Sequence, residues 1–235
     1  MEEHQARKAI VEIGRRLYDR RLVAATEGNL SVRCGSIVVV TPTGVSKGFL
    51  SPRELAVVDL TGAHRSGPRP TTELAMHLCC YRERPDVEAV IHAHPPTTVA
   101  FSLAGRRLDT MAMPEAVFGI GHVASIGYAL PTTDEVPDKL RPHLAHGNVF
   151  ILDRHGTVTC GATLTQAYHR LEALEHAAEI LWRAEQLGAV SELPADEQRR
   201  LLARAAELRI DLRGLAAPNP DDNVRPLRSK ERRWS

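Results

Sequence analysis

Aromatic residues are scarce in this chain, only 4% of 235 positions. That argues against the stacking platforms by which proteins hold single-stranded nucleic acid. Charge of one sign is missing too: 30 Lys and Arg face 29 Asp and Glu, for a formal net charge of +1. No global field therefore points to nucleic acid or to an anionic membrane. No apolar run approaches the roughly 20 residues of a membrane span. The N-terminus, MEEHQARKAI, has no apolar signal core, and the expectation is a cytoplasmic protein. Four cysteines (Cys34, Cys79, Cys80, Cys160) form no CxxC pair, so neither a disulfide framework nor a thiolate zinc knuckle is expected. There is no internal repeat, and no composition shift marks a second domain. What remains is an ordinary globular balance, 43% hydrophobic and 25% charged. We expect one domain over 1–212 and a polar C-terminal tail over 213–235, disordered or held at a subunit interface.

Ala6, Ile10, Ile13, Leu17 and Leu22 recur at helical spacing and predict an amphipathic first helix. A glycine turn, TEGNLS at 26–31, precedes the β-branched run IVVVT at 37–41, a buried strand. The loop TPTGVSKG at 41–48 follows directly. Its glycines and hydroxyls can offer an anion backbone N–H groups, with Lys47 as counter-charge, and they equally suit an ordinary turn. PTTE at 70–73 opens a helix with Thr71 or Thr72 as N-cap, a place suited to phosphate, with Glu73 in the first turn. His77, one turn on, reads as a helix-surface or packing histidine.

VIHAHP at 90–95 carries the strongest chemical signal. Strand side chains repeat direction every second residue, so His92 and His94 leave one face together. A helix is expected from 97 to 103, and strands and loops over 111–133. The strand at 148–153 ends in RHG at 154–156, which places His155 at a hairpin tip before the returning strand 157–160. A long amphipathic helix is expected from 164 to about 188, its His169 and His176 solvated, and a last helix from about 194 to 210. A catalytic zinc site usually has three protein ligands and one open position. His92, His94 and His155 are able to supply such a set.

GNLS around Asn29, TPTG at 41–44, PTTE at 70–73, VIHAHP at 90–95 and RHG at 154–156 occur in the order of the class II aldolase/adducin family. The chain resembles that family from its first helix to about residue 187, and its fuculose-phosphate aldolase branch in particular. The resemblance implies a three-layer α/β/α fold with a largely antiparallel central sheet, assembled as a homotetramer. It implies one divalent ion per subunit, most often Zn2+, on His92, His94 and His155. It further implies a phosphate pocket of Asn29, Thr43, Gly44, Thr71 and Thr72, with Glu73 as catalytic acid/base. The implied reaction is cleavage of a ketose 1-phosphate to dihydroxyacetone phosphate and an aldehyde. The branch's proton-donating tyrosines have no counterpart: position 113 is Met, and no tyrosine follows Tyr168. Tyr128, Glu115 or a C-terminal residue are the alternatives. Relatives of the family include decarboxylases of phosphorylated 3-oxo sugar acids, sugar-phosphate dehydratases and epimerases, and the non-enzymatic adducin head, whose mark would be loss of the metal histidines. Lys47 and Arg154 would be candidates for a substrate carboxylate in the decarboxylase case.

Overall fold

The computed structural model describes residues 1–108, 110–191, 193–211 and 213–215. The polar tail expected over 213–235 therefore lies, beyond residue 215, outside the described residues.

One eight-stranded sheet runs through the molecule in the order β4-β3-β2-β1-β5-β8-β7-β6. Its strands are β1 (Asn29–Cys34), β2 (Ile37–Val40), β3 (Ala56–Asp59), β4 (His64–Ser66), β5 (Ala89–Ala93), β6 (Val123–Ser125), β7 (Val149–Leu152) and β8 (Gly156–Gly161). Every pairing is antiparallel except β6 with β7. The helices are α1 (Glu3–Asp19), α2 (Leu74–Glu83), α3 (Pro96–Leu103), α4 (Pro114–Gly119), α5 (Glu135–Leu140), α6 (Leu164–Leu187) and α7 (Ala195–Glu207). This is the layered α/β/α fold with a largely antiparallel sheet that the motifs implied.

Alternation along the strands builds the layers. Val38, Val40, Val90, Val158 and Cys160 face one side, where Met76, Cys80 and Tyr81 of α2 and Val136 and Leu140 of α5 cover them. Leu30, Val32, Val39, Ala89 and Ile91 face the other, against Ile10, Ile13 and Leu17 of α1 and Leu164 and Leu171 of α6. Burying one such aliphatic side chain is worth about 1.5–3 kcal/mol, so the stripe on α1 alone suffices to dock that helix. Because Val90 points toward α2, the strand period sends His92 the same way. Among the described residues no helix is long and apolar enough to cross a membrane.

Three expectations change. The turn expected over 26–31 gives way at Asn29 to the first strand, β1. Neither Thr71 nor Thr72 is the N-cap of α2; Glu73 occupies that position, and its side chain makes no cap bond. Thr71 Oγ1 instead accepts from Glu73 N–H at 3.3 Å and Thr71 O from Leu74 N–H at 3.3 Å, so Thr71 closes a turn one step ahead of the helix. The segment at 111–133, expected as strands and loops, contains the short helix α4 and only one strand, β6. Pro114 at the start of α4 supplies a fixed φ suited to a helix's first turn.

Candidate metal centre

His92 is fully buried in β5, opposite Asn29 of β1 and Val158 of β8. Its Nδ1 lies 2.9 Å from Thr157 O, a carbonyl that can only accept. Nδ1 therefore carries the proton, and Nε2 presents a lone pair. His94 stands just past the end of β5, where its backbone N–H is held by Leu22 O at 3.0 Å. Its Nδ1 is 3.2 Å from Glu27 Oε2, and its Nε2 is 2.9 Å from Nε2 of His92. His155 sits in the turn between β7 and β8, its N–H donated to Leu152 O at 3.0 Å. The preceding residue, Arg154, has φ of +63°, a left-handed conformation costly for any side chain but glycine. Its N–H is anchored on Ser102 Oγ at 2.7 Å, which holds the turn in that shape.

One ligand atom from each histidine falls within 4.8 Å of the others, and the three ring centroids are 4.8–5.1 Å apart. Burial, and after it the neighbouring His94 and His155, holds His92 well below the ordinary imidazole range. Burial lowers His155 as well. With Nδ1 of His92 on Thr157 O and Nδ1 of His94 beside Glu27, the two Nε2 atoms are left facing each other at 2.9 Å. Two imidazole nitrogens so close are arranged to share a cation. His155 Nδ1 and Glu73 Oε1 are buried without a hydrogen-bond partner. Three imidazoles with one side open to a carboxylate suit a divalent ion of the zinc type.

Glu73 lies against this cluster. Its Oε2 is 3.2 Å from His92 Nε2, and its Oε1 is 3.5 Å from His155 Nε2. Asn29 Nδ2 donates to Glu73 Oε2 at 2.8 Å. The loops at 41–44 and 69–72 are laid side by side by a bridge between Pro42 and Pro70, with Thr43 N–H on Arg69 O at 3.2 Å. Thr43 and Thr72 are exposed, Thr71 is buried, and Gly44 has φ of +72°. A small cleft beside Thr72 and Glu73 is lined across from them by Thr132, Thr133 and Pro137.

Matching the family model for the class II aldolase and adducin N-terminal domain over residues 8–182 is what decides the lineage. The chain belongs to the class II aldolase/adducin family. Over 173 residues it is 38% identical to the L-fuculose phosphate aldolase of Methanococcus vannielii, covering 74% of this chain and 93% of that protein. It is 32% identical over 181 residues to the 3-oxo-tetronate 4-phosphate decarboxylase of Haemophilus influenzae, covering 75% and 86%. The crystal structure of YgbL from Klebsiella pneumoniae superposes with a TM-score of 0.79 at 32% identity, over 86% of this chain and 99% of that one. The relatives are lyases, and this class II aldolase-type protein is an enzyme of that class.

Two side chains, Lys47 and His77, behave differently from the sequence reading. Lys47, read as an anion's counter-charge, is only 2% exposed and donates to Thr26 O at 2.7 Å and Val45 O at 2.6 Å. Its ammonium ties two backbone turns together, and burial draws its pKa down to about 8. Tyr128 is 53% exposed and Glu115 lies on the exposed side of α4, while the C-terminal donor candidates fall outside the described residues. His77, read as a surface or packing residue, is fully buried and hydrogen-bonded on both nitrogens: Nε2 to Asn29 Oδ1 at 2.5 Å and Nδ1 to Ser31 Oγ at 2.7 Å. Ser31 Oγ meets Tyr81 OH at 2.6 Å. A signal for this group existed: Glu73, His77 and Tyr81 recur every fourth residue on α2, facing Asn29 and Ser31 two apart on β1. His169 and His176 are exposed, as expected.

Proposed function

We propose that this protein is a class II aldolase that cleaves a ketose 1-phosphate to dihydroxyacetone phosphate and an aldehyde. The observation that carries the reading is the Glu73 carboxylate facing three converging histidines, 3.2 Å from His92 and 3.5 Å from His155. Cleavage beside a carbonyl leaves negative charge on an enediolate. A Zn2+-type ion held by His92, His94 and His155 would supply Lewis-acid stabilisation of that charge. Glu73 is placed to pass a proton to and from the reacting carbon, a general acid/base role. Asn29 fixes the carboxylate's free rotation by donating to one of its oxygens.

The exposed hydroxyls of Thr43 and Thr72, with Gly44, Thr71 and Asn29 behind them, form the proposed phosphate cradle. Two backbone turns tied by a bridge hold that cradle at a fixed distance from Glu73. Fixing the phosphate end turns binding into orientation at the metal end. The working unit in this reading is a cytoplasmic homotetramer, to be checked by light scattering of the purified protein.

A panel of ketose 1-phosphates assayed for dihydroxyacetone phosphate, with and without chelator, tests the reaction. Metal-dependent release from at least one member is expected. Carbon dioxide from a 3-oxo acid 4-phosphate, with no release from the ketose panel, would replace this reading by the decarboxylase one, the chemistry named for the Haemophilus influenzae relative.

A further inference from the structure

Behind Glu73 runs an unbroken line of buried hydrogen bonds that no part of the proposed chemistry uses. It passes from Glu73 Oε2 to Asn29 (2.8 Å), His77 (2.5 Å), Ser31 (2.7 Å) and Tyr81 (2.6 Å). Ser31, His77 and Tyr81 are at most 2% exposed and Asn29 is 4% exposed, so water does not compete for these bonds.

The direction of every bond follows from one end. An ionised carboxylate only accepts, so the Asn29 amide must turn its NH2 to Glu73 and its oxygen to His77. An amide oxygen also only accepts, so His77 Nε2 carries the imidazole proton and Nδ1 is the acceptor. Ser31 must then donate to Nδ1, which leaves its oxygen to receive the Tyr81 hydroxyl proton. Four groups are thus aligned as donors toward the carboxylate, Tyr81 to Ser31 to His77 to Asn29, and the line ends on Glu73, which accepts. A protonated His77 would still donate to Asn29 but would lose its acceptor for Ser31. Burial keeps that form away by drawing the His77 pKa down to about 3.

We propose that His77 is a positioning residue, whose neutral Nε2–H tautomer, set by Ser31 and Tyr81, locks the Asn29 amide with its NH2 on Glu73. Without that lock the amide is free to flip, which would place its oxygen against the carboxylate oxygen. A hydrogen-bond chain in a dry interior also polarises along its length, so the last donor to Glu73 is strengthened by those behind it. The proposal rests on Glu73 acting as acid/base; the tautomer itself does not.

Two measurements separate these. In the wild-type protein labelled with 15N-histidine, long-range proton–nitrogen NMR reads the tautomer of each imidazole without any substrate. His77 is expected as the neutral Nε2–H form, unchanged between pH 5 and 9. A resonance in the Nδ1–H form, or one that titrates in this range, overturns the proposal. The second measurement compares H77F and H77Q on whichever panel sugar phosphate the wild type cleaves. H77F should lower kcat about 10- to 100-fold, while KM and bound zinc stay within about twofold, and H77Q, which can donate and accept, should recover part of the loss. A folded, zinc-loaded H77F with wild-type kcat overturns the positioning role. If the wild type cleaves no panel member, the aldolase reading fails, and the NMR result still decides the tautomer.

Discussion

A single hydrogen at Gly156 marks how tightly the histidines are packed. A Cβ there would sit 2.5 Å from Ala93 O and 2.6 Å from Cδ2 of His94, and 3.1 Å from Cε1 of His92. Backbone and two candidate ligand rings would have to move together, and overpacking of this sort costs about 1–3 kcal/mol. G156A should therefore melt at lower temperature and hold less zinc, read by calorimetry and by metal analysis after dialysis. Gly44 is the control, because a Cβ there meets nothing within 4 Å and only its φ of +72° is strained. G44A should lose stability, by about 1–2 kcal/mol, with its zinc content intact. At Glu73 the expectation is different again. E73Q keeps the amide-compatible contact to Asn29 and the three imidazoles, so zinc stays, but it cannot move a proton, and turnover should fall by about 10²- to 10⁴-fold. Unchanged turnover would remove Glu73 from the mechanism. His92 and His94 could be paired from the sequence because strand geometry has a period of two, and His155 because a glycine follows it in a turn. His77 could not be read so easily: a histidine between apolar Met76 and Leu78 offers no local sign that its partners are on a strand more than 40 positions away.

Helix α2 and strand β1 behave as one polar seam set inside an apolar layer. The four-residue recurrence of Glu73, His77 and Tyr81 does not stand out in the sequence, since Met76 to Tyr81 are all buried and the apolar residues among them mask the polar face. A helix covered all round carries no single amphipathic stripe. The start of α2 was misplaced for a related reason: threonines near a helix start suggest caps, but Thr71 is drawn into the backbone bridge with the loop at 41–44. That loop is fastened a second time by Lys47, whose ammonium holds the carbonyls of Thr26 and Val45. The pH dependence of this tie has a definite sign. Burial lowers Lys47 to about 8 from its ordinary 10.5, so between those values the unfolded chain binds the extra proton. Stability contributed by this site therefore rises with pH from about 8 to 10.5 and is smallest below 8. K47M should remove that slope, so denaturant midpoints of variant and wild type measured across this window should differ by an amount that changes with pH. Parallel curves would mean that Lys47 keeps its ordinary pKa in the folded protein.

At the scale of the molecule, the histidine cluster joins segments that the chain keeps far apart. His92 belongs to β5 in the middle of the sheet and His94 stands just past its end, His155 lies in the turn between β7 and β8, and Glu73 at the start of α2. These elements already pack through apolar layers, and an ion bound at the histidines would favour the native state alone. Three imidazoles gathered within 4.8 Å exist as a set only in the folded chain. Ligand at 100 times its dissociation constant adds about 2.7 kcal/mol. For a domain of this size each kcal/mol moves the melting temperature by about 2–4 °C, so chelation should lower it by about 5–10 °C. Readdition of zinc should restore the original value, and manganese or cobalt should restore it in proportion to the affinity of three imidazoles for each. H155A supplies the decisive comparison. Without the hairpin's imidazole only the β5 pair remains, and the melting temperature should become insensitive to chelator while the apolar layers hold the fold. A chelator response of full size in H155A would show that the ion binds elsewhere, and would take His155 out of the site.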